Sequence, residues 1–233
     1  MKNEKLIYLS PLKAVGYDGG EIVPEGGLGA VAAHAGVGKT ALLVQLALSA
    51  MLSGAKVLHI SLNDPVNKVN LWYQELFSNI VGQTGPKETR EIWESIVPNR
   101  FIMTFKAESF NASKLEGCLN DLITQNIFPP GLIIVDGLRF DESVRGTLVG
   151  MKSLAKRLSI RLWFTVHIHS YEGQTPDNMP KCLLSTVDLF DAVFKLQPEG
   201  GEIFIKMLKG IPAATSFKPL LLDPSTMLIR GKS

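Results

Sequence analysis

The feature that most constrains the fold is a glycine-containing turn between two apolar stretches. It reads Ala33-His34-Ala35-Gly36-Val37-Gly38-Lys39-Thr40, after the apolar residues 28–33 and before the mostly apolar residues 41–52. Glycines let the main chain curl with its N–H groups pointing inward, and a helix that begins immediately afterwards adds the positive end of its dipole. The segment therefore predicts a strand, an anion-binding turn and a buried helix in direct succession.

The order glycine, lysine, threonine at the end of this turn is typical of a loop that binds nucleotide phosphates. We expect Lys39 to reach the β- and γ-phosphates of ATP and the Thr40 hydroxyl to ligate Mg²⁺. Ala33 replaces the usual first glycine, which is tolerable unless that position needs a positive φ. The alternative is a glycine-rich turn that only ends a strand. The predicted ATP-binding residues are His34, Ala35, Gly36, Val37, Gly38, Lys39, Thr40 and Ala41.

A second magnesium ligand is predicted where another apolar strand ends. Residues 132–135 are all apolar, and Asp136 follows them directly. Downstream of a phosphate loop, an aspartate in this position helps to hold Mg²⁺. Without such a loop, a lone aspartate after a strand is more often a turn former or a helix cap. The two predicted metal ligands are thus Thr40 and Asp136.

Apolar runs rich in β-branched and aromatic residues recur along the chain and predict strands. They span residues 28–33, 56–61, 101–105, 132–136 and 161–166. Helical periodicity between them is clearest at 147–158, whose apolar residues fall on one face. Strands that alternate with helices require crossover connections. The pattern predicts an α/β fold with a mostly parallel, twisted sheet and helices on both faces.

The C-terminal part changes character, because short strands follow one another without helices. Strands are predicted at 192–196, 202–207, 220–223 and 227–230, with turns at 198–201 and 223–225. Short turns favour antiparallel pairing. We therefore expect a C-terminal antiparallel β-meander that extends the parallel sheet.

Composition indicates a single domain spanning residues 1–233, since 45% hydrophobic and 20% charged residues can build a sizeable core. Lysine and arginine number 24 against 22 acidic residues, so no strong field supports a nucleic-acid partner. The apolar patch 6–9 is too short for a signal peptide, and no apolar run reaches the roughly 20 residues of a membrane helix. We expect a cytoplasmic protein that does not associate with membranes.

Taken in order with the phosphate loop, four segments resemble the RecA superfamily, in particular the branch with the clock ATPase KaiC, the RadA/Sms repair proteins and DnaB-type helicases. They are the glycine-rich stretch 16–29, residues 56–61, Asp136 with its following helix, and residues 202–210. The resemblance implies a RecA-like P-loop NTPase fold with ATP and Mg²⁺ as cofactors. It also implies a homo-oligomer, with a hexamer as one option, in which the nucleotide lies between subunits.

The resemblance points to residues that would act on ATP. Relatives that hydrolyse ATP usually place a glutamate after the second core strand to orient the attacking water, and Asn63 occupies that position here. An amide can hold a water but cannot accept its proton, so we expect slow hydrolysis unless Asp64 takes over. Asp64 matches the second of two tandem acids in some clock-type relatives. Alternatively, or in addition, Asn63, Asp64 and Pro65 cap the next helix, with the proline in its first turn.

Basic residues at the end of the strand 161–166 and within the C-terminal segment 202–210 match further positions of the family. His167 matches a polar residue that senses the γ-phosphate, although a histidine at a strand end can also be hydrogen-bonded only locally. Lys206 matches the first residue of a Lys-x-Arg pair that reaches the γ-phosphate on a neighbouring subunit. The second position is Leu208 or, with a one-residue shift, Lys209, which lacks the bidentate fork of arginine. The alternative is that both lysines lie solvated on an edge strand, where they deter aggregation.

The leading hypothesis is a slow, regulatory ATPase in which the nucleotide state is coupled to oligomerisation or to a conformational switch. A non-hydrolysing, nucleotide-dependent binding module is the alternative, favoured by Asn63 and the missing arginine. A DNA-stimulated recombinase or helicase is less favoured, because the loop that would bind DNA, residues 171–180, contains Glu172 and Asp177. A small-molecule kinase is the least favoured. The partner protein is not identified by the sequence.

Overall fold

The computed structural model describes residues 22–82, 85–169, 178–210 and 220–231. This part of the chain forms the strands β1 (Leu28–Ala33), β2 (Val57–Ser61), β3 (Arg100–Thr104), β4 (Leu132–Asp136), β5 (Arg161–His167), β6 (Ala192–Glu199), β7 (Glu202–Lys209), β8 (Leu220–Leu222) and β9 (Ile229–Gly231). Its α-helices are α1 (Lys39–Leu52), α2 (Val66–Val81), α3 (Pro86–Ile96), α4 (Ala112–Thr124) and α5 (Val144–Leu158). Helices separate the successive strands from β1 to β5.

The nine described strands belong to one sheet, in the order β3-β2-β4-β5-β1-β6-β7-β8-β9. Neighbours from β3 to β6 in this order are parallel, and neighbours from β6 to β9 are antiparallel. Parallel neighbours need crossover connections, which the helices between β1 and β5 supply. The structure therefore confirms the predicted mostly parallel sheet with a C-terminal antiparallel meander.

Helices cover both faces of this sheet, as predicted. All six residues of β1 are buried; Val31 and Ala33 face the core formed with α1, α2 and α3, whereas Ala30 and Ala32 face the core formed with α4 and α5. A strand buried on both faces is a continuous apolar run rather than an alternating one. Among the helices of the described residues, none combines the length and apolarity needed to cross a membrane.

The turn between β6 and β7 is shorter than the sequence indicated. Glu199 pairs directly with Glu202, which leaves Gly200 and Gly201 as a two-residue turn. Their φ values of 61° and 84° are those of the type I′ turns that suit β-hairpins. The predicted turn at 198–201 was wrong in its first half, because Pro198 and Glu199 continue β6.

Candidate nucleotide-binding site

The predicted phosphate loop connects the carboxyl end of β1 to the first turn of α1. Gly36 has a φ of 75° and Gly38 a φ of 107°, in the left-handed region that favours glycine. At Gly38 a Cβ atom would also lie 2.5 Å from Cδ2 of Leu222. Ala33, in contrast, is extended and pairs with His167 in the sheet, so it does not need the freedom of the glycine it replaces. Left-handed residues in such a loop direct successive N–H groups towards an anion.

Lys39 lies across this loop. Its Nζ donates to the carbonyl oxygens of Ala33, at 3.0 Å, and His34, at 2.8 Å. Burial lowers the pKa of Lys39, and the nearby Asp136 carboxylate opposes that shift. A cation that is partly removed from water attracts an anion more strongly than a hydrated one. The position of Lys39 thus suits the predicted contact with phosphate groups.

Asp136, at the end of β4, accepts hydrogen bonds on both carboxylate oxygens. Oδ2 accepts from the Thr40 hydroxyl and Oδ1 from the Thr165 hydroxyl, each at 2.7 Å. Thr40 belongs to the first turn of α1, whereas Thr165 lies in β5, the strand next to β4. The structure therefore brings the two predicted metal ligands together. The sequence analysis missed Thr165, because a β-branched residue within a strand carries no functional signal of its own.

The side chains at this point fit Mg²⁺. Magnesium prefers oxygen ligands and is usually held by one or two carboxylates together with phosphate oxygens of the substrate. The Thr40 hydroxyl and the Asp136 carboxylate are such donors, and they already lie within hydrogen-bond distance of each other. They are the residues that would hold the ion beside a nucleotide bound in the loop.

A cavity of about 460 Å³ opens beside the phosphate loop. Lys39, Asp136 and Thr165 form part of its wall, which continues along the segments after β4 and β5 to Phe140 and His169. Ligand sites in proteins typically measure about 300–1,000 Å³. The cavity therefore has a suitable size for a small ligand, at the carboxyl ends of the parallel strands where α/β folds usually bind them.

Asn63 lies in this cavity, beside the residue that follows Asp136. Gly137 has a φ of 97°, and a Cβ atom at this position would be 2.3 Å from Nδ2 of Asn63. The amide therefore packs directly onto the Gly137 backbone, where a glycine leaves room for it. The Asn63 side chain and the Asp136 carboxylate therefore line the same cavity.

Asp64 is oriented differently. Its carboxylate accepts from Nζ of Lys68 at 2.8 Å, and it is not among the residues that line the cavity. The predicted helix cap was wrong in detail. Helix α2 begins at Val66, and Pro65 occupies the capping position in an extended conformation without a side-chain hydrogen bond to the helix. The segment is held instead by Ser61, whose Oγ accepts from the Asp64 N–H at 3.0 Å and donates to the Asp64 carbonyl at 2.8 Å.

The end of β5 contacts the phosphate loop. His167 lines the cavity together with His169, and the centroids of the two rings are 4.5 Å apart. Beside them, Nδ1 of His34 lies 2.9 Å from the carbonyl oxygen of Ile168. The loop and the strand end are therefore in direct contact, and the predicted role of His167 as a γ-phosphate sensor stays a prediction.

Lys206 and Lys209 lie on β7, which β6 separates from β1, the strand that leads into the phosphate loop. Nζ of Lys206 is 3.9 Å from Oε2 of Glu199, and Nζ of Lys209 donates to the Val187 carbonyl at 2.7 Å. Within the described part of the chain β7 pairs with β8 only at residues 203–205, so the interpretation of both lysines as edge-strand residues stays open. A contact of these lysines with the nucleotide of a neighbouring subunit stays a prediction.

Two predicted segments lie outside the described residues. They are the beginning of the glycine-rich stretch, residues 16–21, and most of the loop compared with DNA-binding loops, residues 171–177.

The fold and the site together define a P-loop nucleotide-binding domain. A family model described as an AAA domain matches residues 9–141, which is more than half of the chain. The chain therefore belongs to this family of P-loop ATPase-type domains. The matched region contains the phosphate loop, Asn63 and Asp136. No curated protein matches the chain.

Proposed function

We propose that this protein is an ATP-binding, RecA/KaiC-like ATPase with slow hydrolysis, whose nucleotide state controls oligomerisation or a conformational switch. The observation that carries the proposal is the position of Asn63. Its amide lies in the cavity beside Gly137 and Asp136, where relatives that hydrolyse ATP carry an acid. The site thus combines the parts needed to bind a nucleotide with a poor group for activating water.

Binding would depend on three elements of the chain. The phosphate loop, with Gly36 and Gly38 in left-handed backbone conformations, would direct its N–H groups to the phosphates, and Lys39 would add a positive charge. Thr40 and Asp136 would hold Mg²⁺, which when bound neutralises charge on the β- and γ-phosphate oxygens. Nζ of Lys39 would exchange its hydrogen bonds to the Ala33 and His34 carbonyls for phosphate oxygens, whereas Thr40 and Asp136 already lie within hydrogen-bond distance of each other.

Hydrolysis would be slow because Asn63, which has no acidic group, occupies the position of the missing glutamate. The Asn63 amide can hold a water molecule by hydrogen bonds but cannot accept its proton. Asp64 has a carboxylate, but Lys68 holds it on the α2 side. It would have to leave that ion pair to reach the water.

The two segments that border the cavity after β2 and β5 suit a switch. Asn63 packs onto Gly137, and His34 in the phosphate loop contacts Ile168 after β5. A bound γ-phosphate would therefore contact groups that are connected to the segments after β2 and β5. Its loss on hydrolysis would bias these two segments towards a second arrangement. A homo-oligomer with the nucleotide near a subunit boundary would convert such a change into assembly or disassembly.

A non-hydrolysing binding module is the second candidate, supported by the same amide and by the Asp64–Lys68 ion pair. Turnover measured in Asn63→Ala and Asp64→Ala separates the two. Turnover that persists in the first variant and disappears in the second would identify Asp64 as the working acid. A wild-type chain that binds ATP without any turnover would favour the binding module.

The main test combines a steady-state ATPase assay with measurement of molecular size, with and without ATP, in the wild type and in Lys39→Ala. We expect slow turnover and an ATP-dependent change in size in the wild type, and neither in the variant. A size that did not respond to ATP would reject control of oligomerisation and leave only the conformational switch, and a variant that matched the wild type in both measurements would reject the proposal as a whole. Tight, steeply salt-dependent DNA binding would instead revive the recombinase hypothesis.

A further inference from the structure

The hydroxyl of Thr165 contacts Asp136 but has no part in the proposed contacts with the nucleotide. Thr165 is 3% exposed. Its Oγ1 accepts from the Gly137 N–H at 2.9 Å and donates to Oδ1 of Asp136 at 2.7 Å. A backbone N–H can only donate, and a hydroxyl has one proton, so that proton is committed to the carboxylate. The direction of both hydrogen bonds is therefore fixed.

These two bonds restrain Asp136 and the residue after it. With Oδ1 attached to β5, the carboxylate cannot turn freely about its last bond, and Oδ2 is directed at the Thr40 hydroxyl. A group that is ordered in the folded protein loses little entropy when its ligand binds. The backbone bond to Gly137 holds the turn after Asp136 at the same time. Thr165 thus fixes both the rotation and the main-chain position of the carboxylate.

We propose that Thr165 is a positioning residue that prepares Oδ2 of Asp136 for Mg²⁺. The inference rests on the proposed function, because it takes Asp136 as a ligand of the magnesium that accompanies the nucleotide. Thr165 itself touches neither metal nor phosphate in this account. Its effect passes through Asp136, as with the hydrogen-bond partners that orient ligands in other metal sites.

The test is calorimetric titration of the full chain with ADP, in EDTA and at a series of Mg²⁺ concentrations. Thr165→Val removes the hydroxyl at nearly constant shape, Thr165→Ser keeps it, and Thr165→Ala is a second deletion should the valine variant fail to fold. Thr186→Val is the matched control. Thr186 is also fully buried, but its hydroxyl donates to the Leu183 carbonyl at 3.3 Å.

The measured quantity is the Mg²⁺ concentration that gives half of the metal-dependent gain in ADP affinity. We expect Thr165→Val to raise it by about 10-fold, as the loss of a hydrogen-bond partner of a metal ligand commonly does. ADP affinity in EDTA should not change, Thr165→Ser should restore the wild-type response, and Thr186→Val should behave like the wild type. A merely structural role would instead lower the melting temperature without moving the Mg²⁺ response.

Three results would overturn the inference. The Mg²⁺ response of Thr165→Val could equal that of Thr186→Val, the serine variant could fail to restore it, or ADP affinity in EDTA could fall as far as the affinity in Mg²⁺. If the wild type binds ADP with a magnesium dependence, any of these rejects only the role of Thr165. A wild type that takes up no nucleotide at all rejects the proposed function together with it.

Discussion

The two sides of the cavity differ in how their polar groups are held. On the Asp136 side, Thr40 and Thr165 donate to separate carboxylate oxygens, each at 2.7 Å. On the Asn63 side, an amide packs against a glycine, and the neighbouring acid forms a partly exposed ion pair with Lys68. Exposed ion pairs of this kind contribute little to stability, so the second side is held less firmly than the first.

This difference separates nucleotide binding from hydrolysis. The Asp136 side has its ligands in place before a metal arrives, whereas Asn63 presents an amide to the cavity and the Asp64 carboxylate is paired with Lys68. A domain with this asymmetry would hydrolyse its bound nucleotide slowly. Its conformational state would then depend on nucleotide binding and exchange more than on ATP hydrolysis. Variants that act on one side only can test whether the two properties are independent.

The largest effect is expected from removing the cation on the binding side. Lys39→Ala should weaken ATP binding by about 10³-fold, roughly 4 kcal/mol, because more than one charge-assisted hydrogen bond to the phosphates is lost. Calorimetric titration measures this loss, and Lys87→Ala, which removes an exposed lysine of α3, is the control. An affinity of Lys39→Ala within about threefold of the wild type would place the nucleotide elsewhere and end the comparison.

A pH-dependent loss of stability should originate at His59, which lies in β2, the strand that precedes Asn63. His59 in β2 is fully buried, and its Nδ1 lies 3.1 Å from the Tyr73 hydroxyl. Burial lowers the pKa of His59 to about 4, with Asp136 opposing the shift and Arg100 adding to it. In the unfolded chain the imidazole titrates near about 6.5. Between these two pH values the unfolded chain binds a proton that the native chain excludes. The free energy of unfolding should therefore fall by about 3 kcal/mol as the pH is lowered through this window, and by no more from this group below it.

Urea unfolding of the wild type and of His59→Gln, measured from pH 7 to pH 4, isolates this contribution from that of the carboxylates. The wild type should lose more stability than the variant between about pH 6.5 and pH 4, whereas near pH 7 the free energies of unfolding of the two proteins should change with pH to the same extent. Equal losses in both proteins would show that His59 is not the group responsible.

Supplying a base on the Asn63 side should raise turnover without changing affinity. Asn63→Glu places a carboxylate in the cavity, and a positioned general base contributes about 10²-fold or more. We expect kcat to rise by about 10²-fold in this variant, while Asn63→Gln, of the same size but unable to accept a proton, stays near the wild type. If both variants responded alike, side-chain length rather than proton transfer would limit hydrolysis.

The binding side could be predicted from sequence because its residues are local. Gly36, Gly38, Lys39 and Thr40 follow one another, and Asp136 directly follows a recognisable apolar strand. Thr165 could not be predicted in this way. Its role depends on β5 lying next to β4, and a threonine within a strand is expected on propensity alone.

Strand register also limited the prediction at the C-terminal end. The sequence predicts a strand at 220–223 after β7, and β8 pairs with β7 along residues 203–205. How far along β7 such pairing extends depends on the register of the two strands and could not be predicted from β7 alone. The prediction of a helix cap at 63–65 was wrong for a different reason. The helix begins one residue later than predicted, which moves Pro65 from the first turn to the capping position.

The smallest effect concerns the contact that joins the two sides. In Gly137→Ala the new Cβ atom would lie 2.3 Å from Nδ2 of Asn63, at a residue with a φ of 97°. The backbone strain should lower the free energy of unfolding by about 1–2 kcal/mol, and the clash should cost less, because the end of the Asn63 side chain can move aside. Asn63→Ala removes the clash but not the strain. The double variant with Gly137→Ala should therefore be about 0.5–1 kcal/mol more stable than the sum of the two single changes predicts. Denaturant unfolding of the wild type, the two single variants and the double variant measures this coupling. A coupling of zero would mean that Asn63 does not rest on Gly137, and that the amide is free to leave the position from which it would hold the water.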